Sequence, residues 1–151
     1  MVGAAALSAC GYQPAYGPGG AMKAMTGRVA IMDPSDDNAF DLVVRLEERL
    51  GRATDPAFDL TYAVTTRQIN LAITQVNAIT RYNVEGEVRF TLKDRATGQV
   101  ASSGALDAFT SYAASGTTVA TDAARVDAYR RLMRLLADQI VTRMIADTAA
   151  R

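Results

Sequence analysis

Arg81-Tyr82-Asn83-Val84-Glu85-Gly86-Glu87-Val88-Arg89-Phe90-Thr91-Leu92-Lys93 is the stretch that decides the fold. Tyr82, Val84, Val88, Phe90 and Leu92 share one parity, with Gly86 among them. Arg81, Asn83, Glu85, Glu87, Arg89, Thr91 and Lys93 share the other. Successive strand residues point to opposite faces, so this alternation predicts a strand with one buried and one wet face. That is the pattern of an antiparallel sheet covered on one side only. Asp94-Arg95-Ala96-Thr97-Gly98 follows as a hairpin loop with its glycine late. A partner strand then runs from about Gln99 to Tyr112, less cleanly patterned.

Working outward, Phe58, Leu60, Tyr62 and Val64 alternate with polar or small residues and predict another strand. The apolar parity then changes to Ile69, Leu71 and Ile73. A one-residue shift turns side chains to the opposite face, which predicts a bulge or turn near Thr66 to Gln68. Thr26 to Met32 reads as a short first strand. Asp33-Pro34-Ser35 ends it and starts a helix with Ser35 or Asp36 as N-cap. Phe40, Val43, Val44, Glu47 and Leu50 fall at helical spacing, and Gly51 stands where a glycine C-cap belongs. At the other end, Ala113 to Gly116 is a polar loop, and residues 118–146 form a long helix. Its apolar stripe is Val126, Tyr129, Met133, Leu136, Ile140 and Met144, widened by Leu132, Leu135, Val141 and Ile145. The order of elements predicts an α+β fold. Two helices pack on one face of a roughly four-stranded, mostly antiparallel sheet, as an α/β sandwich.

The chain has 151 residues, which suits one domain with a real core. Its 16 basic and 16 acidic residues leave no net field to draw it onto nucleic acid. It has no histidine, which removes the commonest general base and metal ligand. The single cysteine excludes an internal disulfide and a thiolate metal cluster. No catalytic constellation emerges, and the chain reads as a non-enzyme. Gly17 to Gly20 lacks the Lys-Ser/Thr of a phosphate loop. Asp36, Asp37 and Asp41 cluster where a helix N-terminus favours acids. Arg125, Arg130, Arg131, Arg134 and Arg143 flank the last helix's apolar stripe, where long basic side chains cover its edges. Contact with lipid phosphates is the sharper reading of the same residues. On the wet face of the central strand, Glu85 and Glu87 interleave with Arg81, Arg89 and Lys93. Such a face is either a solvated, cross-paired surface or one that meets a partner or an anionic ligand.

The lone cysteine has a position that explains it. Leu7-Ser8-Ala9-Cys10 looks like a lipobox: a bulky aliphatic residue, two small ones, then a thiol to take diacylglycerol. Nine residues precede Cys10 and none is basic, so residues 1–9 read as a short or truncated lipoprotein signal. Gly11-Tyr12-Gln13-Pro14-Ala15-Tyr16-Gly17-Pro18-Gly19-Gly20 carries neither helical nor strand periodicity. The expected organisation is signal 1–9, lipidated tether 10–25 and a single domain 26–151. Lipid on Cys10 is the one covalent group expected, with no cofactor or metal beside it.

The lipobox with Cys10-Gly11-Tyr12-Gln13-Pro14-Ala15-Tyr16-Gly17 resembles the start of the alphaproteobacterial branch of the LptE family of lipopolysaccharide-assembly lipoproteins. The likeness continues through Thr80-Arg81-Tyr82, Leu92-Lys93-Asp94, Thr97-Gly98 and Ser111-Tyr112. Ser115-Gly116, Asp122-Ala123, Leu136-Ala137, Ile140 and Arg143 complete it. The resemblance implies a plug inside the outer-membrane β-barrel LptD, which helps that barrel assemble. It also implies contact with lipopolysaccharide on its way to the outer leaflet, and an anchor on the periplasmic side of the outer membrane. Family members place basic residues near the start of the central strand and in the loop before the last helix. Here residues 113–121 carry no Lys or Arg, and Arg67 and Arg81 are the nearest candidates on the strand side. The candidate contact residues are thus Arg67, Arg81, Arg89 and Lys93. An auxiliary lipoprotein of a lipid-transporting ABC system is the alternative, and a lipid-anchored enzyme a third.

Overall fold

The computed structural model describes residues 20–73, 79–114 and 116–149. The lipobox, Cys10 and the Gly-Pro stretch that follows it lie outside the described residues up to Gly19. The elements are α1 (Ala21–Met25), β1 (Val29–Ile31), α2 (Asp37–Leu50), β2 (Phe58–Ile73), β3 (Ile79–Asp94), β4 (Val100–Ala113) and α3 (Thr118–Ala149). The four strands form one sheet in chain order. β1 pairs with β2 in parallel, while β2–β3 and β3–β4 are antiparallel. The expected α+β architecture is what the chain adopts, with α2 and α3 over one sheet face. Residues 21–25, the last of the stretch expected as a lipidated tether, form α1, and Met25 is fully buried.

β3 is the strand that the alternation predicts. Val84, Val88, Phe90 and Leu92 are buried against the helices, and Arg81, Glu87, Arg89 and Lys93 are exposed on the open face. Its hairpin to β4 is held by Asp94, whose Oδ1 accepts from the backbone N–H groups of Ala96 at 2.8 Å and Thr97 at 3.0 Å. The Thr97 bond first, then the Ala96 bond, holds the Asp94 carboxyl below the usual carboxylate range, because both favour the charged form. Gly98 closes the loop at φ 70°, a conformation costly for any residue with a Cβ.

Two expectations need correction. The shift in apolar parity along β2 produces no bulge at Thr66 to Gln68. The ladder to β3 runs without interruption from Phe58↔Asp94 to Asn70↔Tyr82, and its irregularity lies between Asn70 and Ile73. Ile69 and Leu71 therefore fall on the open face, and Leu71 is 52% exposed. The continuous ladder to β3 holds the register there. The buried stripe of α2 is Ala39, Leu42, Leu46 and Leu50, one step around from the expected one. Phe40, 57% exposed, and Val44 point outward. The caps are as expected. Asp36 Oδ1 accepts from the Ala39 N–H at 2.9 Å, and Gly51, at φ 73°, donates its N–H to Glu47.

α3 carries more of the core than any other element: Ala128, Leu132, Met133, Leu136, Ala137, Ile140, Val141, Met144 and Ile145 are buried. Val126 and Leu135, counted in the expected stripe, are exposed. α3 is fastened to β4 twice, by Thr110 Oγ1 donating to the Ala128 carbonyl at 2.9 Å and by Ser102 Oγ to Asp147 at 2.7 Å. It is fastened to α2 by a two-point bond from Arg45 to Asp138, both contacts at 3.1 Å. Bidentate charge-assisted pairs of this kind fix orientation as well as distance. No helix among the described residues is long and apolar enough to cross a membrane.

The helix lies so close to the sheet at position 86 that a residue with a Cβ would force the buried leucines of α3 to shift. A Cβ there would stand 2.9 Å from Leu132 Cδ2 and 3.2 Å from Leu136 Cδ1, and both leucines are fully buried. Gly86→Val is expected to lower stability by about 1 to 3 kcal/mol through overpacking, measured by urea unfolding. Gly104→Val meets only Phe90 at 3.3 Å and is expected to cost less.

Candidate functional site

Among the described residues, no element covers the face of the sheet away from the helices. β2 contributes Asp59, Thr61, Ala63, Thr65, Arg67 and Ile69 to it; β3 contributes its odd-numbered residues from Arg81 to Lys93. β4 adds Ala105, Asp107, Phe109 and Ser111. All four candidate cations lie on this face, as their parity requires. They do not converge. Arg81 and Lys93 are twelve residues apart on one strand, or about 40 Å.

Two of the four are neutralised by neighbours. Arg67 Nη2 reaches Glu85 at 2.7 Å across the β2–β3 ladder, where Arg67 and Glu85 are direct register partners. Arg89 Nε reaches Glu87 at 2.7 Å along β3. A third pair, Arg95 to Asp59 at 2.6 Å, closes the hairpin end. Exposed pairs like these add little to stability. They do make the face electrically mixed. Arg81 and Lys93 form no ion pair among the described residues.

Two shallow, open depressions mark the face. One, of about 580 Å³, lies at mid-sheet among Thr65, Arg67, Glu85, Gly86, Asp107 and Phe109. The other, of about 690 Å³, lies at the hairpin end among Met32, Asp33, Leu60, Thr61, Lys93 and Arg95. Phe109, 68% exposed, stands on the rim of the first and was not singled out by sequence. Its place in a weakly alternating strand hid it. No group of three or more metal-ligating side chains occurs among the described residues.

The arginines of α3 divide by role. Arg125, Arg131 and Arg143 pair along the helix with Asp122, Asp127 and Asp147 at 2.8 to 3.0 Å. Arg130 reaches Asp41 of α2 at 3.9 Å. Arg131 also does something that the sequence did not foretell: its Nη2 donates to the Ser111 carbonyl of β4 at 3.2 Å. Gln139 Nε2 donates to the Asp107 carbonyl at 3.3 Å. Both carbonyls lie on the outer edge of β4, where a strand otherwise offers unpaired groups to another chain. At the far end of the inner face, Tyr82 and Tyr112 stack with ring centroids 5.0 Å apart, and the Tyr112 hydroxyl donates to Gln68 at 3.1 Å.

Comparison with known proteins gives a consistent result. The family described as LptE, lipopolysaccharide-assembly, matches residues 27–144. Among solved structures, the fold is similar to a protein described as a lipoprotein from Caulobacter crescentus. Its TM-score is 0.73 at 17% identity, over 86% of this chain and 97% of that one. It is also similar to the rare lipoprotein B from Shewanella oneidensis, with TM-score 0.60 at 15% identity, over 79% and 92% of the two chains. Lipoprotein B from Nitrosomonas europaea gives 0.59 at 16% identity, over 82% and 84%. At these identities the structures bear on fold alone. No curated protein matches the chain in sequence.

The two side-chain caps on β4 have a measurable consequence. Replacing Arg131 and Gln139 together by Ala is expected to leave the Asp107 and Ser111 carbonyls open. Each exposed bond contributes about 0.5 to 1.5 kcal/mol. The double variant is expected to stay folded and to associate with rising concentration in sedimentation velocity, where the wild type remains monomeric.

Proposed function

The chain belongs to the LptE family of lipopolysaccharide-assembly proteins, and on that premise we propose that it is an outer-membrane lipoprotein that plugs the LptD β-barrel and helps it assemble. The observation that carries this reading is the uncovered face of the sheet. It is broad, shallow and electrically mixed, with Arg67–Glu85 and Arg89–Glu87 holding long side chains in place. A surface of that kind suits contact with the polar inner wall of a barrel. It is less suited to enclosing a small molecule, which requires a concave, mostly apolar pocket. The family match extends through this whole framework, from before β1 to near the end of α3.

In this reading lipid on Cys10 holds the domain to the periplasmic side of the outer membrane, and residues 11–19 connect it. Lipopolysaccharide passes close by. Arg81 and Lys93 are the candidate cations left for its phosphates, since Arg67 and Arg89 already face carboxylates. The protein acts by shape and contact, without making or breaking bonds. The ABC-system alternative shares the anchor but requires a different partner, so partner identity separates the two.

Copurification through a C-terminal tag in mild detergent is expected to bring down LptD. Depletion is expected to reduce surface lipopolysaccharide. If no large β-barrel accompanies the tagged chain and surface lipopolysaccharide is normal after depletion, the plug reading fails. Cys10→Ala is expected to leave the domain folded by circular dichroism and to shift it from the membrane to the soluble fraction when barrel is absent.

A further inference from the structure

The sheet has two long edges, β4 and the part of β2 beyond its pairing with β1. On β4, Arg131 and Gln139 occupy outward carbonyls. On β2, β1 pairs only with Phe58 to Leu60, and Met32 N–H extends that contact to the Leu60 carbonyl. Phe58 and Leu60 thus direct their backbone groups away from β3. By the alternation of an antiparallel ladder, so do Tyr62, Val64, Thr66, Gln68 and Asn70. Among the described residues, no hydrogen bond reaches the backbone N–H or C=O groups that these five residues turn outward. Long open edges are what natural sheets avoid unless something pairs with them.

The surroundings of this edge say what would fit. Arg45 and Arg49 turn one flank of α2 toward Asp138 of α3. Glu47, on the opposite flank, lies in a shallow cleft with Val29 to Ile31 of β1. Phe40 and Val44 occupy that opposite flank at helical spacing and are exposed, so apolar surface borders the edge. Nearer the tip, Thr66 shares a cleft with Asp36, Asp37 and Asp41 at the start of α2, and with Arg125 from α3. Asp41 has Arg130 within 3.9 Å, Arg125 is paired with Asp122, and Asp36 caps the helix. Asp33 and Asp37 form no ion pair among the described residues. The Tyr62 hydroxyl, buried beneath this end, has no hydrogen-bond partner among the described residues.

We propose that the open edge of β2, from Tyr62 to Asn70, receives an extended segment of the β-barrel partner as an added strand. The partner's basic side chains would face the start of α2, and its apolar ones Phe40 and Val44. Main-chain bonds give such additions their affinity, and alternate side chains give specificity. A second copy of this chain fits poorly. A two-fold axis at the edge would bring the Asp33, Asp36 and Asp37 sides of both copies together, like charge against like. The proposal rests on the barrel reading above and goes beyond it by naming where the barrel's chain binds.

The test combines hydrogen–deuterium exchange with two proline variants of the full chain. Thr66→Pro and Gln68→Pro each remove an N–H that points away from β3, so the β2–β3 ladder is retained; Gln68→Pro also removes the acceptor of the Tyr112 hydroxyl, and Gln68→Leu, which loses that bond but keeps the N–H, is its control. Both variants are expected to keep the wild-type circular dichroism spectrum and to capture the barrel at least tenfold less well in detergent. Peptides covering residues 62–70 are expected to exchange more slowly in the barrel complex than in the free protein. If Thr66→Pro does not fold, Gln68→Pro and the exchange data decide. Barrel capture by the wild type and both variants alike, with no added protection at 62–70, overturns the edge proposal and leaves the barrel reading standing. No capture by the wild type overturns both. Slow exchange at 62–70 already in the free protein shows that the chain covers its own edge, and a dimer abolished by proline shows a second copy there. Either result also overturns the proposal.

Discussion

Leu132 and Leu136 of α3 come so near the backbone of β3 that a Cβ on Gly86 would stand 2.9 Å and 3.2 Å from them. That approach lets one 32-residue helix lie directly on a sheet whose long strands run to 16 residues. With α3 down on the sheet, Val84, Val88, Phe90 and Leu92 are sealed, and the buried hydroxyls of Thr110 and Ser102 find α3 acceptors. Buried polar groups left unpaired are costly, so these two bonds also fix where along the strands the helix sits. α2 is positioned in turn, since Arg45 and Arg49 both converge on Asp138.

The same packing explains the bare face. Both long helices are used on one side, and among the described residues no element covers the other side. Its charges are accordingly arranged in register across strands or along them. Arg67 stands directly opposite Glu85, and Arg89 follows Glu87 by two residues on the same face. Opposite charges placed this way are favourable neighbours on a sheet. The face is thus prepared to meet another polar surface without carrying a net field of its own.

The sequence made β3, its hairpin, both helix caps and the final helix legible, because each rests on a local rule. Alternation names the faces of β3; Asp36 and Gly51 name the ends of α2. What stayed hidden depends on contacts far along the chain. In α2, Phe40-Val43-Val44 competes with Leu42-Leu46-Leu50 as the apolar stripe, and only the placement of α3 and the sheet decides between them. In β2, Ile69 and Leu71 looked like a change of face, but continuous pairing with β3 overrides side-chain preference. The face that carries Arg67, Arg81, Arg89 and Lys93 was readable from parity. Their separation along the sheet, and the carboxylates that occupy two of them, were readable only once the register was known.

The edges show the limit of reading side chains alone. An edge strand is defined by its backbone, and which backbone groups are free follows from topology. Arg131 could be read from sequence as a helix-flank arginine; that its guanidinium closes the Ser111 carbonyl follows from where α3 crosses β4. β1 has only three paired residues, so it protects β2 no further than Leu60. A longer β1 would have closed the sheet, but Asp33 and Pro34 turn the chain away toward α2. Proline supplies no backbone donor and cannot extend the ladder. The same turn that starts α2 therefore leaves the neighbouring edge open and sets the acids of that helix start beside it.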